Sequence, residues 1–300
     1  MRYISGQIYD GGEFRRGYIG IENGTVVESG DGAPPGRPYI RGIVVPGLVD
    51  CHTHVGDAGL KVPAGIGLEE LVAPPDGLKH RYLRDVPDGD LISSVKTFTD
   101  RMYANGITRF ADFREGGLKG CRLLAQARPR PSATVLGRPA SAEYDGNEAD
   151  AILSEADGIG LPSISDMNAG YIDSVADLVH KRGKILALHV SERVREDIDR
   201  VISLEPSFIV HMTKASKGDL AKCAAHGIPI VICPTSNAFF GNIPPVRDMM
   251  DAGVKIALGT DNAMLCPPDM RPEMRRLIGM LGDRYSKRDE LIHILLDNGR

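Results

Sequence analysis

Ile43-Val44-Val45-Pro46-Gly47-Leu48-Val49-Asp50-Cys51-His52-Thr53-His54 is an apolar run that reads as a buried strand and ends in two histidines one residue apart. Side chains alternate along a strand, so residues i and i+2 point the same way. His52 and His54 therefore reach one point in space where the strand gives way to a loop. Two converging imidazoles supply the first half of a tetrahedral metal ligand set. Alone, the pair reads equally as two surface histidines beside a turn. The residues further along decide between these readings.

Outward from this strand, the chain alternates. Before it, residues 3–43 read as a small β segment with strands Tyr3–Tyr9, Tyr18–Glu22 and Thr25–Ser29, and Asn23-Gly24 as a hairpin turn. After it comes a Gly- and Pro-rich insertion, Gly56 to Asp90, with a helix at Leu68–Val72. Strands are then expected at Thr108–Phe113, Ser132–Leu136, Gly158–Ile164, Ile185–Val190, Phe208–His211, Pro229–Cys233 and Lys255–Gly259. Helical patterns fall between them, at Leu91–Asn105, Leu118–Ala127, Ala149–Ala156, Ile172–Arg182, Val194–Ile202, Lys217–His226 and Val246–Ala252. Two more, Arg271–Leu281 and Lys287–Asp297, close the sequence. Counted from Val44, eight strands separated mostly by helices predict an α/β fold. It is a (β/α)8 TIM-like barrel over residues 44–300, preceded by the β segment of residues 1–43, and its active residues belong where strands end.

Composition narrows the function. The 300 residues are 42% hydrophobic and 25% charged, as in a soluble globular protein. A net charge of −4 gives no reason to expect nucleic acid or an anionic membrane as partner. No apolar run approaches the ~20 residues that span a bilayer, and Met1-Arg2-Tyr3 leads into a strand rather than a leader peptide. The five cysteines (Cys51, Cys121, Cys223, Cys233, Cys266) are odd in number and scattered, which favours reduced thiols in a cytoplasmic protein. A small-molecule substrate is the expected partner.

Four strand ends carry the informative residues. The first gives His52 and His54, the fifth His189 and then Glu192, the sixth His211, the eighth Gly259-Thr260-Asp261-Asn262-Ala263. Singly, each has an ordinary explanation: a hydrogen-bonded histidine, a capping aspartate, a glutamate favouring a helix dipole. In a closed barrel these ends meet at one mouth, and their joint occurrence favours a metal site.

The order His-x-His, His-x-x-Glu, His and Gly-Thr-Asp-Asn-Ala resembles the amidohydrolase superfamily. It is most similar to the aminohydrolase branch of cytosine, guanine and adenosine-analogue deaminases and triazine chlorohydrolases. Val45-Pro46-Gly47-Leu48-Val49-Asp50, Gly106-Ile107-Thr108 and Cys233-Pro234-Thr235-Ser236-Asn237 add to the likeness. The resemblance implies that His52, His54, His189 and Asp261 hold one divalent ion, zinc first, with iron or manganese as alternatives. It implies acid–base and polarising roles for Glu192 and His211, with Asp261 both ligand and proton acceptor. Binuclear relatives carry a bridging lysine after the fourth strand; Leu161-Pro162-Ser163-Ile164-Ser165-Asp166 has none, which favours a single ion over a second one on His211. The implied reaction is hydrolytic deamination of a heterocyclic amine. Cyclic-amide or carbon–halogen hydrolysis, and a non-catalytic metal-binding scaffold, are the rivals.

Lys79, His80, Arg81 and Arg84 in the first crossover either meet an anionic substrate group or form a solvated helix start, and Arg114 or Glu115 either faces the cavity or forms a plain strand-end charge pair. Ser236 and Asn237 either touch substrate or brace loops. Lys214 stands where several relatives carry a second histidine. Relatives also return after the barrel to complete a β-sandwich with the N-terminal segment. Here nothing is left to pair with residues 3–43, and exposed strand edges would favour a homo-oligomer.

Overall fold

A computed structural model describes residues 1–72, 76–282 and 288–300. Ala73-Pro74-Pro75 of the first crossover and Lys287, the expected start of the last helix, lie outside the described residues.

Two sheets form. The N-terminal sheet joins β1 (Arg2–Asp10), β2 (Glu13–Glu22), β3 (Thr25–Asp31) and β4 (Ile40–Val44) in the order β3-β2-β1-β4, with β4 parallel to β1. The second sheet contains β5 (Leu48–His54), β6 (Ile107–Arg114), β7 (Ser132–Gly137), β8 (Gly158–Leu161), β9 (Ile185–Val190), β10 (Phe208–His211), β11 (Ile230–Ile232), β12 (Ile256–Leu258) and β13 (Asp261–Asn262). Neighbours follow chain order and pair in parallel, and β13 returns to pair with β5, Asp261 opposite Thr53 and Asn262 opposite His54. β12 and β13 are the two halves of one interrupted strand, so eight strands close into a TIM-like barrel with helices in the crossovers.

The opening apolar run divides at Pro46. Ile43 is 71% exposed and belongs to the N-terminal sheet; the buried strand begins only at Leu48. Proline lacks the N–H a ladder needs, so one continuous strand was never available. β8 ends at Leu161 rather than Ile164 for the same reason, because Pro162 follows. The fourth helix starts earlier than its apolar pattern, at Gly146, where the Asp145 carboxylate accepts from Asn147 N–H. The helix after β9 starts later, at Ile198, capped by Asp197. The helix start expected as one reading of Lys79 to Arg84 is realised as a helix at Leu78–Asp85.

Residues 3–43 do find partners. Beyond the pairing of β4 with β1, the Tyr9 hydroxyl donates to Asp297, just past the helix Arg288–Leu296. The last residues also tie down the start of the barrel seam. Asn298 Nδ2 donates to the Ile256 carbonyl (2.7 Å), and the Arg300 guanidinium to the Gly47 carbonyl (2.6 Å). Among the described residues, no helix is long and apolar enough to cross a membrane.

At the β12–β13 break the backbone presses on the first strand. A Cβ on Gly259 would sit 2.7 Å from the Cβ of His52, so only glycine fits. Beside it, the fully buried Asp50 carboxylate accepts from Thr260 N–H (2.9 Å) and Thr260 Oγ1 (2.7 Å), clasping the first strand to the last. Burial outweighs these bonds and pushes Asp50 up to about 7, so a neutral isostere suits the clasp. Asp50→Ala, leaving the Thr260 N–H unpaired, should cost about 2–3 kcal/mol; Asp50→Asn should cost much less. Chemical denaturation of both variants checks the difference.

A second polar anchor lies on the outer layer. Asp219 and Ser216 form a reciprocal cap on the helix Lys217–Ala225, and Arg195 grips the same carboxylate at 2.7 and 2.8 Å. The Arg195 bond, with the cap, pulls Asp219 down to about 2. A depressed carboxylate adds stability that is complete above its unfolded pKa, near ~4, and is lost as pH falls through about 2. With the exposed arginine screened by solvent, Asp219→Asn should cost about 1 kcal/mol at pH 7. Melting curves from pH 7 to pH 2 should show that gap to wild type shrinking below pH 4.

Candidate metal centre

The strand ends deliver five side chains to one place. His52 and His54 lie on β5, His189 on β9, His211 on β10 and Asp261 on β13. Asp261 Oδ1 is 3.3 Å from His52 Nε2 and 3.5 Å from His54 Nε2; the His54 and His189 Nε2 atoms are 3.3 Å apart. The His52 ring centre is 4.9 Å from that of His189 and 5.7 Å from that of His211. Backbone strain accompanies the convergence: Ser191, His211 and Asp261 have φ of +49°, +78° and +68°. Conformations of this kind cost ~1–3 kcal/mol each and persist only where surroundings enforce them.

Hydrogen bonds fix which nitrogens carry protons. His54 Nδ1 faces the Phe113 carbonyl at 3.1 Å and Glu115 Oε1 at 2.8 Å; His189 Nδ1 faces the Leu161 carbonyl at 2.8 Å. Both Nδ1 atoms must donate, so both Nε2 atoms present lone pairs to each other. Neither ring nitrogen of His52, wholly buried, makes a hydrogen bond. Burial lowers His52 and lowers His54 to about 4; burial and the neighbouring imidazoles hold His189 well below its usual value. These are neutral rings. Burial alone would raise Asp261, but the approach of His52 Nε2 to 3.3 Å, with His211 and His54 nearby, holds it well below the carboxylate range. Three neutral imidazoles and an ionised carboxylate, with facing lone pairs and an orphaned ring, are the donor set a divalent cation requires.

His211 differs. Asn237 Nδ2 donates to His211 Nδ1 at 3.2 Å, and Asn237 is itself oriented by Cys233 N–H donating to its Oδ1 (3.3 Å). The remaining His211 nitrogen, Nε2, therefore carries a proton into the cavity, 3.6 Å from Glu192 Oε2. The Glu192 side chain is 19% exposed, and burial with repulsion from Asp261 pushes it up to about 8. Ser236 Oγ donates to Asp261 Oδ2 at 2.5 Å, leaving Oδ1 for the centre. Cys233 also comes near Asp261 and His211, but burial and the Asp261 charge push its thiol well up, away from the thiolate a metal binds.

The positions read as substrate-facing fare unevenly. Lys79 is buried and bonded to Glu115 Oε1 at 2.6 Å, which in turn meets His54. His80 bonds the Val72 carbonyl, Arg81 the Asp76 carbonyl, and Arg84 stands near Asp85 at 3.7 Å. Arg114 is buried between Glu115 and Asp112, while Glu115 borders the cavity. Ser236 and Asn237 brace Asp261 and His211. Lys214 is exposed. The Lys79–Glu115–His54 chain escaped the sequence because a lysine at a helix start reads as solvated, whereas Lys79 is buried; a glutamate directly after the second strand was its one signal. A cavity of about 940 Å³ opens over the centre, bordered by His54, His189, Glu192, His211 and Asp261.

Comparison with known proteins agrees with this geometry. Residues 43–286 match the model of the amidohydrolase family. A provisionally named aminohydrolase of Methanothermobacter thermautotrophicus is 35% identical over 282 residues, covering 85% of this chain and 73% of its own length. Guanine deaminase from C. acetobutylicum superimposes with a TM-score of 0.77 at 16% identity, over 99% of this chain and 85% of its own. A zinc-bound adenosine deaminase from Xanthomonas campestris does so with a TM-score of 0.78 at 16% identity, over 99% and 78%. By its barrel and by these likenesses, the chain belongs to the amidohydrolase family and is a hydrolytic enzyme of carbon–nitrogen bonds.

Proposed function

We propose that this enzyme deaminates a heterocyclic amine, with a single divalent ion, zinc first, held by His52, His54, His189 and Asp261. The facing Nε2 atoms of His54 and His189 support the ion, and the missing lysine at the end of β8 favours one ion rather than two. A divalent ion there supplies a water whose pKa is lowered toward ~7.

The remaining chemistry belongs to the chain's own groups. The Asp261 carboxylate, oriented by the Ser236 bond to its Oδ2, takes the proton of the attacking water. Glu192 is protonated at neutral pH because burial disfavours its charge. It donates to the ring nitrogen beside the attacked carbon, takes up the proton that leaves the adduct's hydroxyl, passes it to the departing amine, and is reprotonated from Asp261. His211 Nε2–H donates to the oxygen as it gains charge. The sum is balanced: water adds at the amidine-like carbon, the C–N bond breaks, and a carbonyl and ammonia remain. The observation carrying this reading is the pairing of Glu192 with His211 over the centre, an acid and a hydrogen-bond donor side by side.

Glu192→Gln should retain metal while losing ~10²–10⁴ in turnover; His189→Ala should lose the metal itself. Metal analysis of both variants, with ammonia release from a panel of purines, pyrimidines, pterins and nucleosides, checks this. Full turnover by Glu192→Gln would remove that residue from the mechanism. A ring-opened product without ammonia would move the reaction to cyclic-amide hydrolysis.

A further inference from the structure

Among the described residues, five lysine and arginine side chains border the cavity above the centre, and four already have a carboxylate partner. Lys79 pairs with Glu115 at 2.6 Å, Lys119 with Asp88 at 2.7 Å, and Arg84 lies 3.7 Å from Asp85. Arg193 pairs with Glu69 at 3.0 Å and Asp166 at 2.8 Å. Arg138 is the fifth. Among the described residues no carboxylate comes within ion-pair distance of its guanidinium, and its side chain makes no hydrogen bond.

Arg138 is nonetheless held in a fixed place. It directly follows β7, on the rim where the barrel strands end, and its backbone is tied on both sides. Its N–H donates to the Arg114 carbonyl (2.8 Å), and its carbonyl accepts from Gly117 N–H (3.1 Å). The side chain is half-buried along the cavity wall. Desolvation lowers its guanidinium value more than the distant charges of Glu115 and Asp166 raise it. A cation partly removed from water, without a counter-charge, is costly to keep. Its planar five-donor fork matches the two oxygens of a carboxylate or phosphate.

We propose that Arg138 is a specificity residue that pairs with an oxyanion, carboxylate or phosphate, carried by the substrate on the side away from its reacting carbon. The other four cations already face carboxylates, so Arg138 is the one left without a counter-charge among the described residues. The inference rests on the deaminase reading for the substrate's ring, but the anion contact does not depend on turnover.

Binding to metal-stripped protein separates the two. Pterin and pterin-6-carboxylate are compared by fluorescence anisotropy, and adenosine and adenosine 5′-monophosphate by calorimetry. Wild type should bind the anionic member of at least one pair tenfold or more tighter than the neutral member; which pair responds identifies carboxylate or phosphate as the source. Arg138→Gln should erase the preference and leave the neutral member's Kd unchanged. Arg138→Lys, which keeps charge without the fork, should retain part of it and serves if the glutamine variant does not fold. Equal affinity within both pairs, no binding of any member, or a preference surviving in Arg138→Gln overturns the proposal. Ammonia release by metal-loaded protein is scored separately: an anion preference without ammonia retains Arg138's role and removes the deaminase reading.

Discussion

Everything in the upper half of this molecule depends on how the barrel closes. The last strand is broken at Gly259-Thr260, and its second half, Asp261-Asn262, pairs with Thr53 and His54 of the first. That register sets the one carboxylate of the centre against two imidazoles. Gly259 permits the close approach because nothing larger fits against His52, and Asp50 holds Thr260 from the other strand. The clasp and the two histidines of the proposed centre are interleaved on one seven-residue strand, β5 (Leu48–His54). Structural and chemical demands on it therefore cannot be separated by position.

Electrostatics then makes the centre incomplete as protein alone. Lone pairs on His54 and His189 meet 3.3 Å apart because each ring's other nitrogen is committed elsewhere, and His52 has no hydrogen-bond partner. Neutral imidazoles in a buried site gain nothing from each other; they gain from a cation. Supporting contacts set orientation and charge, as partners of metal ligands generally do. Glu115 sits against His54, Lys79 neutralises Glu115, and Ser236 occupies the spare oxygen of Asp261. Lys79 also connects the first crossover to the centre, so the cavity wall and the ligand set are mechanically linked.

The sequence carried much of this. His-x-His, His189, His211 and Asp261 were legible because each ends a strand, and strand ends of a barrel share one rim. Less visible were features that arise only from long-range packing. The apolar run through Ile43 concealed β4, since hydrophobicity does not reveal which of two sheets a residue joins. The helix Leu78–Asp85 is mostly charged and polar, so the burial of Lys79 could not be foreseen. The proton on His211 Nε2 follows from Asn237, whose orientation follows in turn from Cys233. Nothing in the sequence around Arg138 sets it apart from other charges, because a paired cation and an unpaired one differ only in partners that folding supplies.

X-ray absorption at the metal edge of the zinc-loaded enzyme tests the central claim most directly. The account predicts a first shell of nitrogen and oxygen at ~2.0–2.2 Å, with the outer-shell scattering of three imidazoles and no sulfur. A zinc–sulfur distance of ~2.3 Å, placing Cys233 in the shell, or fewer than three imidazoles, would contradict it.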